Sequence, residues 1–134
     1  MDRKIRGLTL RELTGFALLV ALLLAGLLSS WVMSRRHSEM ARTLEDGTWM
    51  ALSGQWENAR NAAQEAKQEW ERGRRFQAAI DDQTRLEEID GLFAQLTVCA
   101  AAGERTEFAR TCAFLEQRLE ALSDTHRIGW WNIL

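Results

Sequence analysis

The stretch that decides the fold reads TGFALLVALLLAGLLSSWVM and occupies residues 14–33. It contains no charged side chain, and as a helix it extends about 30 Å, the thickness of the hydrocarbon core of a bilayer. A surface helix of a soluble protein keeps a polar face, and this segment has none. Trp31 lies at its C-terminal edge, where an indole ring suits the membrane–water interface. The segment predicts a transmembrane helix.

A cleaved signal peptide is the alternative interpretation of this segment. The apolar run is longer than the core of a typical signal peptide, and SSWVMSRR, residues 29–36, offers no cleavage site of the Ala-x-Ala kind. No cysteine that could accept a lipid follows it directly. We therefore predict an uncleaved signal anchor in the cell membrane.

The flanking charges bear on the orientation of this anchor. The N-terminal flank carries Arg3, Lys4, Arg6 and Arg11, and the other flank carries Arg35, Arg36 and Arg42. A short tail follows the positive-inside rule best, whereas a long domain crosses the membrane largely regardless of its charge. We expect residues 1–13 to form a short cytoplasmic tail and residues 34–134 to form an extracytoplasmic domain.

The composition excludes several classes of protein. The chain has 134 residues, a net charge of −2 and no proline, and it therefore carries neither the basic footprint of a nucleic-acid-binding protein nor the commonest helix breaker. Residues 34–134 contain 13 Lys/Arg and 17 Asp/Glu, a net charge of −4. Two cysteines are too few for a disulfide-rich scaffold. These features favour a small, mildly acidic helical domain.

The residues after the span are rich in helix-forming side chains, with no alternating pattern typical of a strand. We expect the transmembrane helix to continue as a stalk until Asp46 and Gly47 end it. Trp49, Trp56 and Trp70 are then spaced by multiples of seven, with Ala63 at the remaining position. Such spacing predicts a heptad core stripe that packs against neighbouring helices, and the alternative is an aromatic surface for a ligand.

Two further helices follow from the spacing of apolar residues. The first stripe comprises Leu86, Ile89, Phe93, Leu96 and Ala100, and the second comprises Phe108, Cys112, Leu115, Leu119 and Leu122. A break is expected between Gly73 and Asp82. Thr84 and Glu87 form a capping-box pattern, with Asp81 and Asp82 as alternative caps.

Gly103 is a suitable C-terminal cap for the first of these helices. The last helix is expected to end near residues 123–126. We predict an all-α protein in which one N-terminal transmembrane helix precedes a small antiparallel bundle of three to four helices, counting the stalk.

The two cysteines face each other across the predicted turn at Gly103. Cys99 and Cys112 would stand at similar heights on neighbouring helices, so a disulfide between them is possible in an exported domain. The alternative is a pair of small buried hydrophobic residues. His37 and His126 lack metal-ligand spacing to these cysteines, and we predict no metal site.

Acidic residues gather in DDQTRLEEID, residues 81–90. The stretch lacks the order and the central glycine of a calcium-binding EF-hand, and it fits a helix N-terminus enriched in acids. No sequence motif of a hydrolase, nucleotide-binding loop or metalloprotease occurs. We therefore expect no enzymatic activity and no cofactor.

The chain ends in IGWWNIL, residues 128–134. Adjacent tryptophans on a helix differ in direction by about 100° and cannot both face one core. The tail could dock along the bundle, anchor near lipid headgroups, or fill a groove of a partner protein. We assign a candidate interaction surface to Trp130, Trp131, Ile133 and Leu134.

The chain resembles a bacterial family in four features. They are the apolar helix, the spaced tryptophans, the sequence Glu88-Ile89-Asp90 and the closing Asn132-Ile133-Leu134. It is similar over nearly its whole length to the small single-span proteins of Gram-positive, clostridia-like bacteria catalogued as domain of unknown function 4363. Where that family often has a histidine before the acidic pair, this chain has Leu86. The resemblance implies no activity or cofactor, and a multi-span YetF-like membrane protein as a partner.

Two functional hypotheses follow. The first is a structural or accessory protein that binds another envelope protein through its bundle or its C-terminal tail. The alternative is an extracytoplasmic sensor of a small ligand or of stress that works with a membrane partner. A pocket lined by the heptad tryptophans would favour the sensor, and a closed core with exposed apolar side chains would favour the accessory protein.

Overall fold

A computed structural model describes residues 9–128, and within this range the protein is built from helices without a strand. The four helices are α1 (Leu10–Leu52), α2 (Trp56–Ile80), α3 (Gln83–Ala102) and α4 (Arg105–Ile128). Turns of two or three residues join them, which makes successive helices antiparallel. The predicted all-α fold, a long apolar N-terminal helix followed by a helical bundle, is confirmed.

The chain divides into two compact units, Met1–Met33 and Ser34–Leu134. The first unit contains the N-terminal part of α1, whose leucine and phenylalanine side chains are largely exposed. By length and composition this helix can cross a membrane. Of the four basic residues in the N-terminal flank, only Arg11 is among the described residues, which begin at Thr9. The other three lie outside them.

The second unit is a four-helix bundle to which residues 34–52 of α1 contribute the first member. Its core consists of side chains from all four helices and includes Leu44 of α1, Trp70 of α2, Leu86 and Phe93 of α3 and Phe108 of α4. The Ser34 and Ser123 hydroxyl groups lie 3.0 Å apart and join the start of this α1 segment to the last turns of α4.

The expected helix break at Asp46 and Gly47 is wrong, because α1 continues to Leu52. Gly47 is buried, and a Cβ atom there would lie 3.6 Å from Ala62 Cβ and 3.8 Å from Cys112 Sγ. The glycine therefore sits where α1 packs closely on α2 and α4 rather than at a turn. The turn comes at residues 53–55, where Gly54 has a φ angle of +84° that glycine adopts without strain.

The boundaries of α3 agree with those predicted from the sequence, except for the residue that caps its N-terminus. Asp82 is the N-cap and accepts a hydrogen bond of 3.0 Å from the backbone amide of Thr84. The alternative cap named in the sequence is therefore correct and the Thr84–Glu87 capping box is wrong, because Thr84 already lies inside the helix. Gly103 ends α3 with a φ angle of +72°, as predicted.

The remaining boundaries differ little from those expected. Helix α2 continues through the arginine-rich stretch to Ile80. The break predicted between Gly73 and Asp82 therefore lies at the C-terminal end of that range. Helix α4 extends to Ile128, two residues beyond the expected range.

The heptad tryptophans have three different environments. Trp70 is 1% exposed and belongs to the core, and Trp56 is partly buried against it. Trp49 is 65% exposed, so its assignment to the core stripe is wrong. The reason is the turn at residues 53–55, which places Trp49 on α1 and breaks the seven-residue register with α2.

Candidate functional site

The bundle contains two groups of hydrogen-bonded side chains that a ring contact between His37 and Trp70 joins. We call them together the core polar network and define it as His37, Trp70, Arg74, Gln77 and Asp90. Helix α1 supplies the histidine, α2 supplies the middle three residues, and α3 supplies the aspartate. The network therefore crosses three of the four helices. Of these five residues, His37, Trp70 and Gln77 are buried, whereas Arg74 and Asp90 are partly exposed. We base the candidate site on them.

Asp90 is the acceptor at one end of this network. Its Oδ1 atom accepts a hydrogen bond of 2.6 Å from Trp70 Nε1, and its Oδ2 atom accepts one of 2.9 Å from Arg74 Nε. A buried indole N–H requires an acceptor, because leaving it without one costs the desolvation of the donor. The carboxylate supplies that acceptor while the arginine balances its charge, so this aspartate joins α3 to α2.

His37 occupies the other end of the network. Its side chain is 0% exposed and is hydrogen-bonded through Nε2 to the Gln77 side-chain amide, which is itself 1% exposed. The His37 ring centroid lies 6.4 Å from that of Trp70, with the ring planes tilted by 43°. The stalk part of α1 is thereby held against α2 by a buried polar contact as well as by apolar packing.

Trp70 connects the two ends. Its indole stacks on Phe93 of α3 with centroids 6.2 Å apart and planes at 29°, while its nitrogen bonds to Asp90. Trp70 thus contacts α1 through His37 and contacts α3 through Phe93 and Asp90. The arrangement brings imidazole, amide and carboxylate groups together across three helices.

The sequence did not identify His37, Gln77 or Arg74 as members of a site. One signal was present, because His37, Leu44 and Ala51 follow each other at intervals of seven, and all three are buried. A histidine on a heptad stripe indicates a core position. The partner glutamine, 40 residues away in the chain, could not be inferred from the sequence.

The acidic side chains within the stretch 81–90 have separate roles. Asp82 caps α3, and Glu88 forms an ion pair of 2.8 Å with Arg118 of α4. Asp90 belongs to the core polar network. Within residues 9–128 no three histidine, cysteine or acidic side chains are arranged to hold a metal ion.

The two cysteines are buried free thiols in this structure. Burial raises the pKa of Cys112 to about 12, with further increases from the nearby Cys99 and Glu116 and a decrease from a hydrogen bond with Thr48. The thiolate form is therefore strongly disfavoured at neutral pH, and this sulfur is a poor nucleophile. The disulfide between Cys99 and Cys112 that the sequence allows is not formed in this structure.

A carboxylate cluster lies where α1 faces α4. Desolvation raises the pKa of Glu116, and the charges of Glu45 and Glu120 raise it further. The three groups repel one another when ionised. The cluster contributes a source of pH dependence to the bundle.

The end of the bundle that carries the α1–α2 and α3–α4 turns has an aromatic cluster. Trp56 and Phe108 meet edge to face with centroids 5.0 Å apart, and the Arg105 guanidinium lies 5.8 Å from the centroid of the Trp56 ring. Trp49 and Leu52, 65% and 60% exposed, are at the same end of α1. This end therefore combines a closed aromatic contact with exposed apolar side chains.

Shallow grooves run between neighbouring helices. A groove of about 310 Å³ between α2 and α3 includes Lys67 and Phe93, and one of about 280 Å³ between α3 and α4 includes Arg85 and Arg118. The walls of these grooves contain no tryptophan. The ligand pocket that the sensor hypothesis requires is thus not formed by the heptad tryptophans in these grooves.

The candidate interaction surface of the tail lies outside the described residues. This applies to Trp130, Trp131, Ile133 and Leu134, and the three interpretations of the tail stay open.

Comparison with protein families matches residues 29–133 to DUF4363, described as a domain of unknown function. Comparisons with curated proteins and with solved structures gave no match. The matched range covers the end of the apolar segment, the whole bundle and most of the tail, and it includes every residue of the core polar network. This chain belongs to the DUF4363 family.

Proposed function

We propose that this protein is a single-pass accessory protein of the cell membrane, with residues 14–33 as an uncleaved anchor and residues 34–134 presented outside the cytoplasm. The observation that carries the proposal is the continuity of α1. One helix contains both the apolar segment and the first member of the bundle.

The core polar network supports a role that depends on a fixed bundle. His37 lies four residues after Met33 and is completely buried against α2. The hydrogen bonds of Asp90 then hold α2 against α3. Such an arrangement suits a protein that presents a defined surface close to the membrane.

Exposed apolar side chains on the bundle support binding to another protein. Trp49, Leu52 and Phe114 are each more than half exposed, although the core beneath them is closed. An exposed tryptophan beside other apolar groups is typical of protein interfaces. The partner that we propose is another envelope protein, and the family resemblance points to a multi-span protein of the YetF type.

A non-enzymatic role fits the chemistry of the described residues. The most deeply buried sulfur nucleophile, Cys112, is held protonated by its raised pKa. The buried histidine bonds to a glutamine and has a tryptophan ring beside it, neither of which can serve as a catalytic nucleophile.

Topology can be tested with cysteines placed in exposed positions of the intact chain. Gln55→Cys lies in the exposed turn of the bundle, and Thr9→Cys lies before the apolar segment. A membrane-impermeant maleimide added to whole cells should label the first variant and reach the second only after lysis. The opposite pattern would overturn the proposed orientation, and a chain recovered without residues 1–33 would overturn the anchor.

The accessory role can be tested with photo-crosslinking residues in living cells. Trp49 and Trp131 are the test positions, and the exposed Gln68 on α2 is the control. We expect a discrete adduct with one envelope protein from at least one test position and none from Gln68. If neither test position yields an adduct that Gln68 lacks, the proposed role in binding a protein partner is wrong.

A further inference from the structure

Helix α2 ends with two exposed apolar side chains that the core does not use. Phe76 is 50% exposed and Ile80 is 55% exposed, and the spacing of four residues places them on the same side of the helix, one turn apart. Gln77, between them in sequence, points into the core. The pair is therefore a small apolar surface at the end of α2.

Two contacts place this surface within the bundle. Gln77 is hydrogen-bonded to His37 of α1, so the last turn of α2 is level with the beginning of the α1 segment of the bundle. The Ser34 and Ser123 hydroxyl groups, 3.0 Å apart, show that α4 finishes at the same end. Phe76 and Ile80 thus lie at the end of the bundle where the chain arrives from residue 33.

The chain itself limits how far this end of the bundle can lie from the apolar segment. His37 follows Met33 by four residues, which is about 6 Å of helical rise. The polar layer on each side of the hydrocarbon core is roughly 5–7 Å thick. If residues 14–33 span the bilayer, four residues of chain hold His37 close to that layer, so side chains beside His37 are within its reach.

We propose that Phe76 and Ile80 insert into the lipid headgroup region and seat the end of the bundle on the membrane surface. This inference rests on the proposed membrane anchor. Exposed aromatic and branched apolar side chains gain from burial at the acyl boundary. We choose the lipid surface as the occupant because the apolar segment leads directly into the bundle at this end.

The character of the surrounding charges indicates the type of lipid contact. The exposed charged residues at this end have both signs, so it has no uniform positive charge. They include Arg35, Arg36, Glu39, Arg75, Asp82 and Asp124. The contact should therefore be apolar and independent of anionic lipid, unlike that of a polybasic membrane-binding segment.

The test uses the full chain reconstituted in phosphatidylcholine vesicles, with an environment-sensitive fluorophore on a single introduced cysteine. The test variants are Phe76→Cys and Ile80→Cys. Val98→Cys is the matched control, because Val98 is 66% exposed and apolar but lies near the α3–α4 turn at the opposite end. Leu22→Cys reports whether the apolar segment is inserted. The unsubstituted chain gives the background from the buried native thiols.

Spin labels on the lipid headgroup or deep in the acyl chain then quench fluorophores at the corresponding depth. We expect the headgroup label to remove most of the fluorescence at positions 76 and 80 and to leave position 98 unchanged, while the acyl-chain label quenches position 22. The result at positions 76 and 80 should be the same with and without anionic lipid.

The other outcomes are distinguishable. Quenching at position 22 without quenching at 76 and 80 would overturn the membrane contact and leave the anchor intact. Absence of quenching at position 22 would overturn the anchor and the inference with it. If positions 76 and 80 become quenched only after deletion of residues 130–134, the C-terminal tail covers this surface and the proposal is wrong.

Discussion

Trp70 Nε1 donates a hydrogen bond of 2.6 Å to Asp90 Oδ1, across the interface between α2 and α3. The tryptophan was recognisable from its heptad spacing and the aspartate from the Glu88-Ile89-Asp90 sequence, but neither pattern indicated the other. Their pairing turns two separate sequence features into one contact that holds the bundle together.

Replacing Asp90 should destabilise the protein. Asp90→Ala leaves the buried Trp70 N–H without its acceptor, at a cost of about 1–3 kcal/mol in the free energy of unfolding. Asp90→Asn keeps an acceptor oxygen and should cost less. Chemical unfolding of the detergent-solubilised full chain measures both. Glu88→Ala is the control, because Glu88 pairs with the half-exposed Arg118 and accepts from no buried donor. Equal stability of the Asp90→Ala and Glu88→Ala variants would contradict the role of this contact.

His37 and Gln77 should behave as a coupled pair. A double-mutant cycle with His37→Ala and Gln77→Ala is expected to show a coupling energy of roughly 1 kcal/mol or more, because each buried polar group satisfies the other. The exposed pair Glu57 and Arg60, 3.3 Å apart, provides a control cycle with an expected coupling of a few tenths of a kcal/mol. Additive effects at residues 37 and 77 would show that the contact contributes nothing to stability.

Gly47 should tolerate one methyl group and no more. A Cβ atom there meets Ala62 Cβ at 3.6 Å, Cys112 Sγ at 3.8 Å and Ala59 O at 3.9 Å, all ordinary contact distances. Gly47→Ala should therefore raise the free energy of unfolding, by up to about 1 kcal/mol from helix propensity. Gly47→Leu should lower it, because the larger side chain overpacks the interface.

Thermal unfolding of the same detergent-solubilised chain ranks these variants. Gly54→Ala serves as the comparison, since its φ angle of +84° disfavours any side chain even where space is open. Destabilisation by Gly47→Ala as large as that by Gly54→Ala would show that the helix does not pass through residue 47 as described.

Glu116 should make the bundle more stable in mild acid. Its pKa in the folded protein is raised above 4.5 by desolvation and by the charges of Glu45 and Glu120. The folded state thus binds this proton more tightly than the unfolded state does. The corresponding stability is fully present below the unfolded pKa and is lost as the pH rises through the folded pKa.

Glu116→Gln removes this titration and should stabilise the protein at neutral pH by a few tenths of a kcal/mol, a small value because solvent screens the carboxylates. Below about pH 4 the gain should vanish, since Glu116 is then protonated in both states. Urea unfolding at the two pH values measures the effect, with the exposed Glu65→Gln as control. A gain that persists in acid would contradict the assignment.

Cys112 should resist alkylation in the folded protein at neutral pH. Its side chain is 0% exposed and burial raises its pKa to about 12, so both access and thiolate formation are limited. Mass spectrometry after brief alkylation should show labelling of an introduced Val98→Cys long before Cys112. Equal labelling rates would contradict the buried position. Labelling after unfolding, with and without a reductant, decides whether Cys99 and Cys112 form the disulfide that the sequence allows.

The sequence by itself determined the helical class, the apolar segment and most helix ends. These properties depend on local physics, such as the absence of charge over residues 14–33, the 3–4 spacing on α3 and α4, and the left-handed conformation available to Gly103. Asp82 was also identifiable as a cap, because a short acidic side chain can bond to a nearby backbone amide.

Only the tertiary structure decided which residues are paired across the bundle. The seven-residue spacing of Trp49 with Trp56 suggested one stripe, but the turn at residues 53–55 exposes the first and partly buries the second. His37 and Gln77 are 40 residues apart, and Trp70 and Asp90 are 20 apart. Helical periodicity shows which face of a helix is buried, whereas the rotation and register between helices are set by packing of all four together, and those determine the core polar network.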